Sequence, residues 1–441
     1  MVLARRELLA LSGALATNLA GCVASPGQGV SGSTGDSNAD PEPDASDRRV
    51  KPNVDPDQFD AVVRGNNAFA IELFQQLIKD ESKEDHFISP FSVSTALAMT
   101  WAGARGGTEE AMAESLHLPF DQDDLHPVFN AIDRALEERS DVEVEEGDPL
   151  ELNVANALWP SKTVELREGF DETLAKHYGA RPVPLDFANE PEQSRKTINR
   201  WVAGETEDRI EELVPEGVLT SKTKLVLTNA IYFLAGWLEK FDEEETEQAP
   251  FTSLSGETRD VPMMSKTWGF PYATVDGHQV IELLYVGEQT GMIVILPKEG
   301  EFRSFQSSLD AARLEELISA LEDESGTIRL PKFKVESKYR MEEALKALGM
   351  DEAFGLDANF SGMTKGGDIG ISNVLHESFV TVDEEGTEAA AATAVITGDV
   401  GVSSNYEMTV DRPFLFAIRD RPTGSILFIG RVVKPPNGGG G

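Results

Sequence analysis

The chain has 441 residues, 40% of them apolar, enough for one large domain with a sizeable core or for two or three average ones. Seventy-seven acidic side chains face 39 basic ones, and the net charge of -38 repels nucleic acid and anionic membrane surfaces. The acids run in short groups such as Asp242, Glu243, Glu244 and Glu245 along the whole chain, a solvated surface whose self-repulsion predicts a halophilic source, where salt screens it.

The single cysteine, Cys22, excludes an internal disulfide framework and leaves the folded body without a thiol nucleophile. Arg5 and Arg6 precede an apolar stretch, 8–20, too short to span a bilayer comfortably, which ends Leu19-Ala20-Gly21-Cys22. This order predicts a twin-arginine type of export signal over residues 1–21. Its end resembles a lipobox, so that Cys22 is expected to carry lipid and to hold a secreted protein on the outer face of the cell membrane. Residues 22–57 are mostly Gly, Ser, Asp, Asn and Pro, cannot offset the entropy of ordering, and read as an acidic disordered linker. A folded domain over 58–436 and a flexible glycine tail over 437–441 complete the organisation.

Regular structure begins near Phe59, where Phe69, Leu73, Phe74, Leu77 and Ile78 at helical spacing predict an amphipathic first helix. Residues 92–102, small and mostly apolar behind Ile88-Ser89-Pro90, predict a buried second helix. Farther along, β-rich segments at 152–159, 225–234, 291–296, 328–335 and 425–433 mix with helical ones at 168–178, 194–205 and 341–348. The order is irregular and lacks the βαβ rhythm of a parallel sheet, so the fold class is α+β.

Catalytic chemistry leaves no recognisable pattern. No serine lies in a G-x-S-x-G context, and His376-Glu377 lacks the second histidine of an H-E-x-x-H zinc site. No phosphate or dinucleotide glycine pattern occurs either, and the six histidines are scattered. The sequence therefore favours a binding protein over an enzyme, with no metal and no cofactor.

The most unusual segment runs Asp383-Glu384-Glu385-Gly386-Thr387-Glu388-Ala389-Ala390-Ala391-Ala392-Thr393. It has two physical readings. Four consecutive alanines favour a surface helix. As an extended strand, Thr387, Ala389, Ala391, Thr393 and Val395 would share one uncharged face, with Glu388 on the other, and the segment could slide into the middle of a sheet. Gly386 would then supply a free hinge.

This segment resembles the hinge of the serpin family, which reads Glu-x-Gly-Thr-Glu-Ala-Ala-x-Ala. The resemblance extends over roughly 59–436. Phe87-Ile88-Ser89-Pro90-Phe91-Ser92 is similar to the family's second-helix motif, whose two serines lie beneath the central sheet. The run from Thr228 and Asn229 to Trp237 resembles the strand that ends at the breach, where loop insertion starts, and His376 falls where the family places a shutter histidine paired with Asn229. Asp411-Arg412-Pro413-Phe414 and the run from Gly424 match the C-terminal signature.

The resemblance implies about nine helices around a large central antiparallel or mixed sheet, two smaller sheets, and an exposed reactive-centre loop. It also implies a monomeric inhibitor whose partner is a serine-type protease. The protease cuts the loop and forms an acyl-enzyme, and the cut loop inserts as a new strand before the ester hydrolyses. About fourteen inserted residues at roughly 3.3 Å each give on the order of 46 Å of travel. Small residues at the hinge, Thr387 and Ala389 to Ala392, fit fast insertion. Fourteen positions after Gly386 the reactive bond is expected at Val400–Gly401, which suits an elastase-like or subtilisin-like pocket. Val402, Ser403 or Tyr406 would serve in another register, and Asp399 is a departure. The acidic stretch 121–141 argues against a polyanion cofactor. Cross-class inhibition of cysteine proteases and a non-inhibitory binding or chaperone role are the alternatives.

Overall fold

The computed structural model describes residues 43–80, 84–140, 150–366, 369–387 and 405–435. Cys22, Glu388, Ala389, Ala390, Ala391, Ala392, Val400 and Gly401 lie outside the described residues, as do the expected signal and the glycine tail.

The helices of the N-terminal half are α1 (Pro56–Leu77), α2 (Pro90–Trp101), α3 (Gly107–Ser115), α4 (Gln122–Ser140), α5 (Glu168–Tyr178) and α6 (Pro191–Glu205). Local chemistry sets their ends. Asp55 and Ser89 are N-caps whose side chains accept from the amides of Asp57 and Ser92, each with proline at the first helical position. Gly179 closes α5 in the left-handed conformation at φ 60°. Every residue of α2 is buried, as its uniformly small and apolar sequence predicts.

Fourteen strands are described. They are β1 (His86–Ile88), β2 (Glu151–Pro160), β3 (Leu225–Gly236), β4 (Glu247–Thr252), β5 (Thr258–Val275), β6 (His278–Leu284), β7 (Thr290–Leu296), β8 (Glu322–Pro331), β9 (Phe333–Arg340), β10 (Asn373–Val382), β11 (Gly386–Thr387), β12 (Tyr406–Thr409), β13 (Phe414–Asp420) and β14 (Ile426–Val432). Five form a mixed sheet in the order β2-β3-β11-β10-β9, and the other nine form one hydrogen-bonded sheet. The expected pair of smaller sheets is thus joined. Strand β5 is long enough to pair with β4 over Thr258 to Met263, with β8 over Met263 to Tyr272 and with β6 at its end, Tyr272 to Val275. The segment expected as one strand at 328–335 is two, broken at Lys332, whose amide donates to Pro262 of the neighbouring strand at 2.9 Å.

The five-stranded sheet separates two cores. One face carries Leu227, Ile231 and Phe233 of β3 and Val374 and Val380 of β10, packed with α1 and α2. The other carries Ala230, Tyr232, Leu375 and Phe379, covered by Ile198 and Val202 of α6. Each fully buried large apolar side chain stabilises the fold by about 1.5–3 kcal/mol.

Part of the stretch expected to be a free linker is built into the fold. Residues 46–48 form a 3-10 turn, Ala45 donates to the carbonyl of Gly179 at 2.8 Å, and Val50 donates to Lys176 at 3.0 Å. Arg49, its side chain nearly buried, pairs with Asp133 at 2.7 Å. Composition alone marked this piece as disordered because its anchors are mainly backbone groups and two arginines, Arg49 and Arg48, the latter paired with Asp171 at 3.1 Å.

Candidate functional site

Strands β3 and β10 run parallel and pair directly over part of their length, Val226 to Ile231 opposite Asn373 to Ser378. Above that stretch they diverge, and β11 lies between them. Thr387 pairs antiparallel with Ala235 on one side and with Val382 on the other. A two-residue strand therefore already occupies the mouth of a gap between two strands that close upon each other below.

The turn that feeds β11 is held from several directions. The Asp383 carboxylate accepts from the amides of Glu385 (3.0 Å) and Gly386 (3.3 Å), and the Asp383 amide donates to the Gly386 carbonyl at 3.1 Å. Trp237, just past β3, donates its indole N–H to the Asp383 carbonyl at 2.9 Å and its backbone amide to Glu385 at 2.8 Å. Glu384 is buried and accepts from the ammonium of Lys332 and from the Thr246 hydroxyl. Burial alone would raise its pKa, but these two donors hold it below the ordinary carboxylate value. Thr387 is fully buried, its hydroxyl 2.7 Å from that of Tyr285, which stacks on Trp237 at 4.6 Å.

Gly386 is needed for a reason other than the expected free hinge. Its φ is not among the positive ones. A Cβ at this position would lie 2.2 Å from the carbonyl oxygen of Ala235 and 2.8 Å from the Cα of Gly236, so two backbones approach where no side chain fits.

Lower in the sheet, Asn229 of β3 and His376 of β10 stand opposite each other, and the His376 Nδ1 bonds the Asn229 Oδ1. The Ser89 amide donates to His376 Nε2 at 3.2 Å, so Nε2 accepts and Nδ1 carries the proton. The Asn229 amide group donates to the Ser92 hydroxyl and to Oδ1 of Asn156, which lies opposite it on β2. Ser89 donates to the Leu427 carbonyl at 2.7 Å, and Ser92 to Asn156 at 3.2 Å. Neither serine hydroxyl is offered to the imidazole, so the cluster makes no nucleophile and base pair. It cross-links α2 to the strands that flank the gap.

The structure thus brings Glu384, Gly386, Thr387 and Trp237 together at the mouth, and Ser89, Ser92, Asn229 and His376 beneath the closed part. Asn156, Tyr285, Lys332 and Thr246 were missed by sequence reading. Each is an ordinary strand or loop residue, and only the pairing of distant strands brings it to the site.

A mixed sheet whose two-residue central strand lies between β3 and β10, above a buried polar cluster where those two strands pair directly, defines the architecture of this site. Residues 64–435 match the family described as serpin (serine protease inhibitor), and the chain belongs to that family. It is 39% identical over 380 residues to an uncharacterized serpin-like protein of Thermococcus kodakarensis, covering 86% of each chain. It is 39% identical over 381 residues to leukocyte elastase inhibitor A of Mus musculus, covering 84% of this chain and 98% of the mouse protein. Among solved structures it is similar to a thermophilic serpin, tengpin, in the native state, with 29% identity and a TM-score of 0.77 over 87% of this chain and 96% of the other.

Proposed function

We propose that this chain inhibits extracellular serine endopeptidases as a suicide substrate, by inserting its cut loop between β3 and β10. The observation that carries this reading is register. Six residues beyond Thr387, an inserted strand continuing the pairing of β11 would bring Thr393 level with both Asn229 and His376, which already face each other. The same continuation puts Ala389, Ala391, Thr393 and Val395 on the face of Thr387, toward the core, where small uncharged side chains are admitted. Thr393 would arrive beside the hydrogen bond between Asn229 and His376, so that insertion parts this pair. The relatives named as leukocyte elastase inhibitors support protease inhibition in general and agree with a small residue at the reactive bond, proposed at Val400–Gly401. Arg5, Arg6 and Cys22 support a secreted protein held by lipid at the outer face of the membrane, and the charge of -38 supports a salty environment.

The test is incubation of the salt-folded protein with subtilisin, elastase and trypsin, followed by denaturing gels and mass determination. A denaturant-stable complex with a released C-terminal peptide starting at Gly401 is expected. Cleavage by each of them with no complex would make the chain a substrate or a non-inhibitory serpin.

A further inference from the structure

A second polar region lies away from the sheet gap, where the start of α4, the helix α5, the end of α2 and the turn at 361–365 surround a cleft of about 990 Å³. In a chain with a twofold excess of acids, this cleft is lined by Arg105, Arg167, Lys176 and Lys365 together with His126 and His177. Lys365 is paired with Glu165. The other three cations have no carboxylate within ion-pair distance among the described residues. Asp123, Glu168 and Glu172 also line the cleft, but they are exposed and pair with none of these cations.

The cations have donors to spare. Arg105 uses Nη1 on the carbonyls of Ala102 and Ala104 and on Gln122, which leaves Nε and Nη2 without an acceptor among the described residues. Arg167 uses only Nε, on the Thr364 carbonyl at 3.1 Å. Gly362 makes room for the Arg105 guanidinium, because a Cβ there would lie 2.5 Å from its Cζ.

The histidines add an unpartnered buried donor. His126 is 4% exposed, and its Nε2 has no hydrogen-bond partner. Its Nδ1 lies 2.7 Å from the Tyr178 hydroxyl, for which no other acceptor is found among the described residues. The phenol therefore donates to Nδ1, and the ring proton sits on Nε2, on a side chain that lines the cleft. The Nδ1 of buried His177 is also without a partner, its ring centre 6.2 Å from that of His126. Burial first, and then positive neighbours, hold both rings neutral: His177 and Arg105 act on His126, and Lys176 acts on His177, with values of about 3 and about 4. An N–H left unbonded at a positive cleft is an incomplete anion site.

We propose that this cleft binds a compact multivalent oxyanion of the phosphate type, its oxygens taken by the guanidinium groups of Arg105 and Arg167 and the Lys176 ammonium, with the unpartnered Nε2–H of His126 buried in the wall beside them. The volume admits a diphosphate or a phosphorylated sugar with room to spare, so the charge of the lining rather than the fit sets the ligand class. The acidity of α4 gave no hint of it, because these cations come from the segments around that helix.

The uncut full chain tests this without any protease, so the outcome is independent of the inhibitory reading. Calorimetric titration with pyrophosphate, at ionic strength held constant with potassium chloride, is expected to show one saturable site and a raised unfolding temperature. Lys176→Gln, at a side chain with no hydrogen bond or ion pair among the described residues, and Arg167→Gln should each weaken binding about tenfold. Lys196→Gln, on the exposed side of α6, should leave it unchanged. The Nε2 proton of His126 should shift on titration in a nitrogen-15 spectrum. Absence of saturable heat at about 10 mM pyrophosphate overturns the proposal, as does equal affinity in Lys176→Gln, Arg167→Gln and the parent.

Discussion

The hydroxyls of Thr387 and Tyr285 meet at 2.7 Å, and neither residue touches solvent. The proposed hinge is thereby bonded to the same tyrosine that stacks on Trp237 just past the end of β3. Thr387→Arg puts a charge into this dry position, so insertion should slow while cutting continues. The expected outcome is at least about a tenfold fall in the fraction of protease trapped per loop cleaved, read on denaturing gels. Tyr285→Phe leaves the Thr387 hydroxyl unpaired at a cost of about 1–3 kcal/mol and should loosen the hinge without blocking insertion.

Gly386→Ala should free β11 from the sheet in the uncut protein, since the added Cβ would lie 2.2 Å from the Ala235 oxygen. The Trp237 indole would then lose its bond to the Asp383 carbonyl. A changed tryptophan fluorescence and faster amide exchange at Trp237, whose backbone N–H is bonded to Glu385, are the expected signals. An unchanged spectrum and unchanged exchange would refute the close-approach account of this glycine.

Asn156→Ala removes the oxygen that accepts from both Asn229 and Ser92 beneath the closed part of the gap. Leaving these buried donors unpaired costs about 1–3 kcal/mol. The uncut form should convert faster on warming to an inserted or polymerised form. Native gels after timed incubation check this, since on the proposed mechanism the uncut form is kinetically trapped and its lifetime is the quantity to measure.

Glu377, on β10 facing α6, has one carboxylate oxygen unpartnered and the other 3.0 Å from Lys338. Burial pushes its pKa up to about 7, against the pull of the Lys338 ammonium. A carboxyl raised above its ordinary value of 4.5 contributes stability that is fully present below that value and is lost as pH rises through about 7. Buried His126 and His177, both lowered, act in the opposite sense, losing stability as pH falls below about 6.5. The readout is therefore the difference between Glu377→Gln and its parent: the variant should lose less of its thermal midpoint between pH 5 and 8.

Where a residue's role is local, the sequence announced it. The bounds of α5 follow from its periodicity and Gly179, and the start of α2 from Ser89 and Pro90. The hinge stood out because Gly386 and Thr387 precede a run of small residues that composition alone does not explain. Strand β10 was harder to see. It is buried on both faces and carries Asn373, His376, Glu377 and Ser378, so it shows neither alternation nor an apolar run. Asn156, in a strand, and Tyr285, just past one, look like any polar or aromatic residue until pairing places them. Long-range pairing is what a single sequence carries least.

The flanking strands of the gap are already aligned with each other. Because β11 meets β3 and β10 in registers that agree with their own direct pairing, neither strand has to slide along its length for a newcomer to fit. The sheet needs only a sideways separation of about one further strand spacing, roughly 4.8 Å, and every backbone group exposed by parting faces a waiting partner. Opening and filling can then advance together, one residue at a time, as in the closing of a zip fastener. On the proposed mechanism, capture of a protease is a contest between the speed of that advance and the hydrolysis of a single ester.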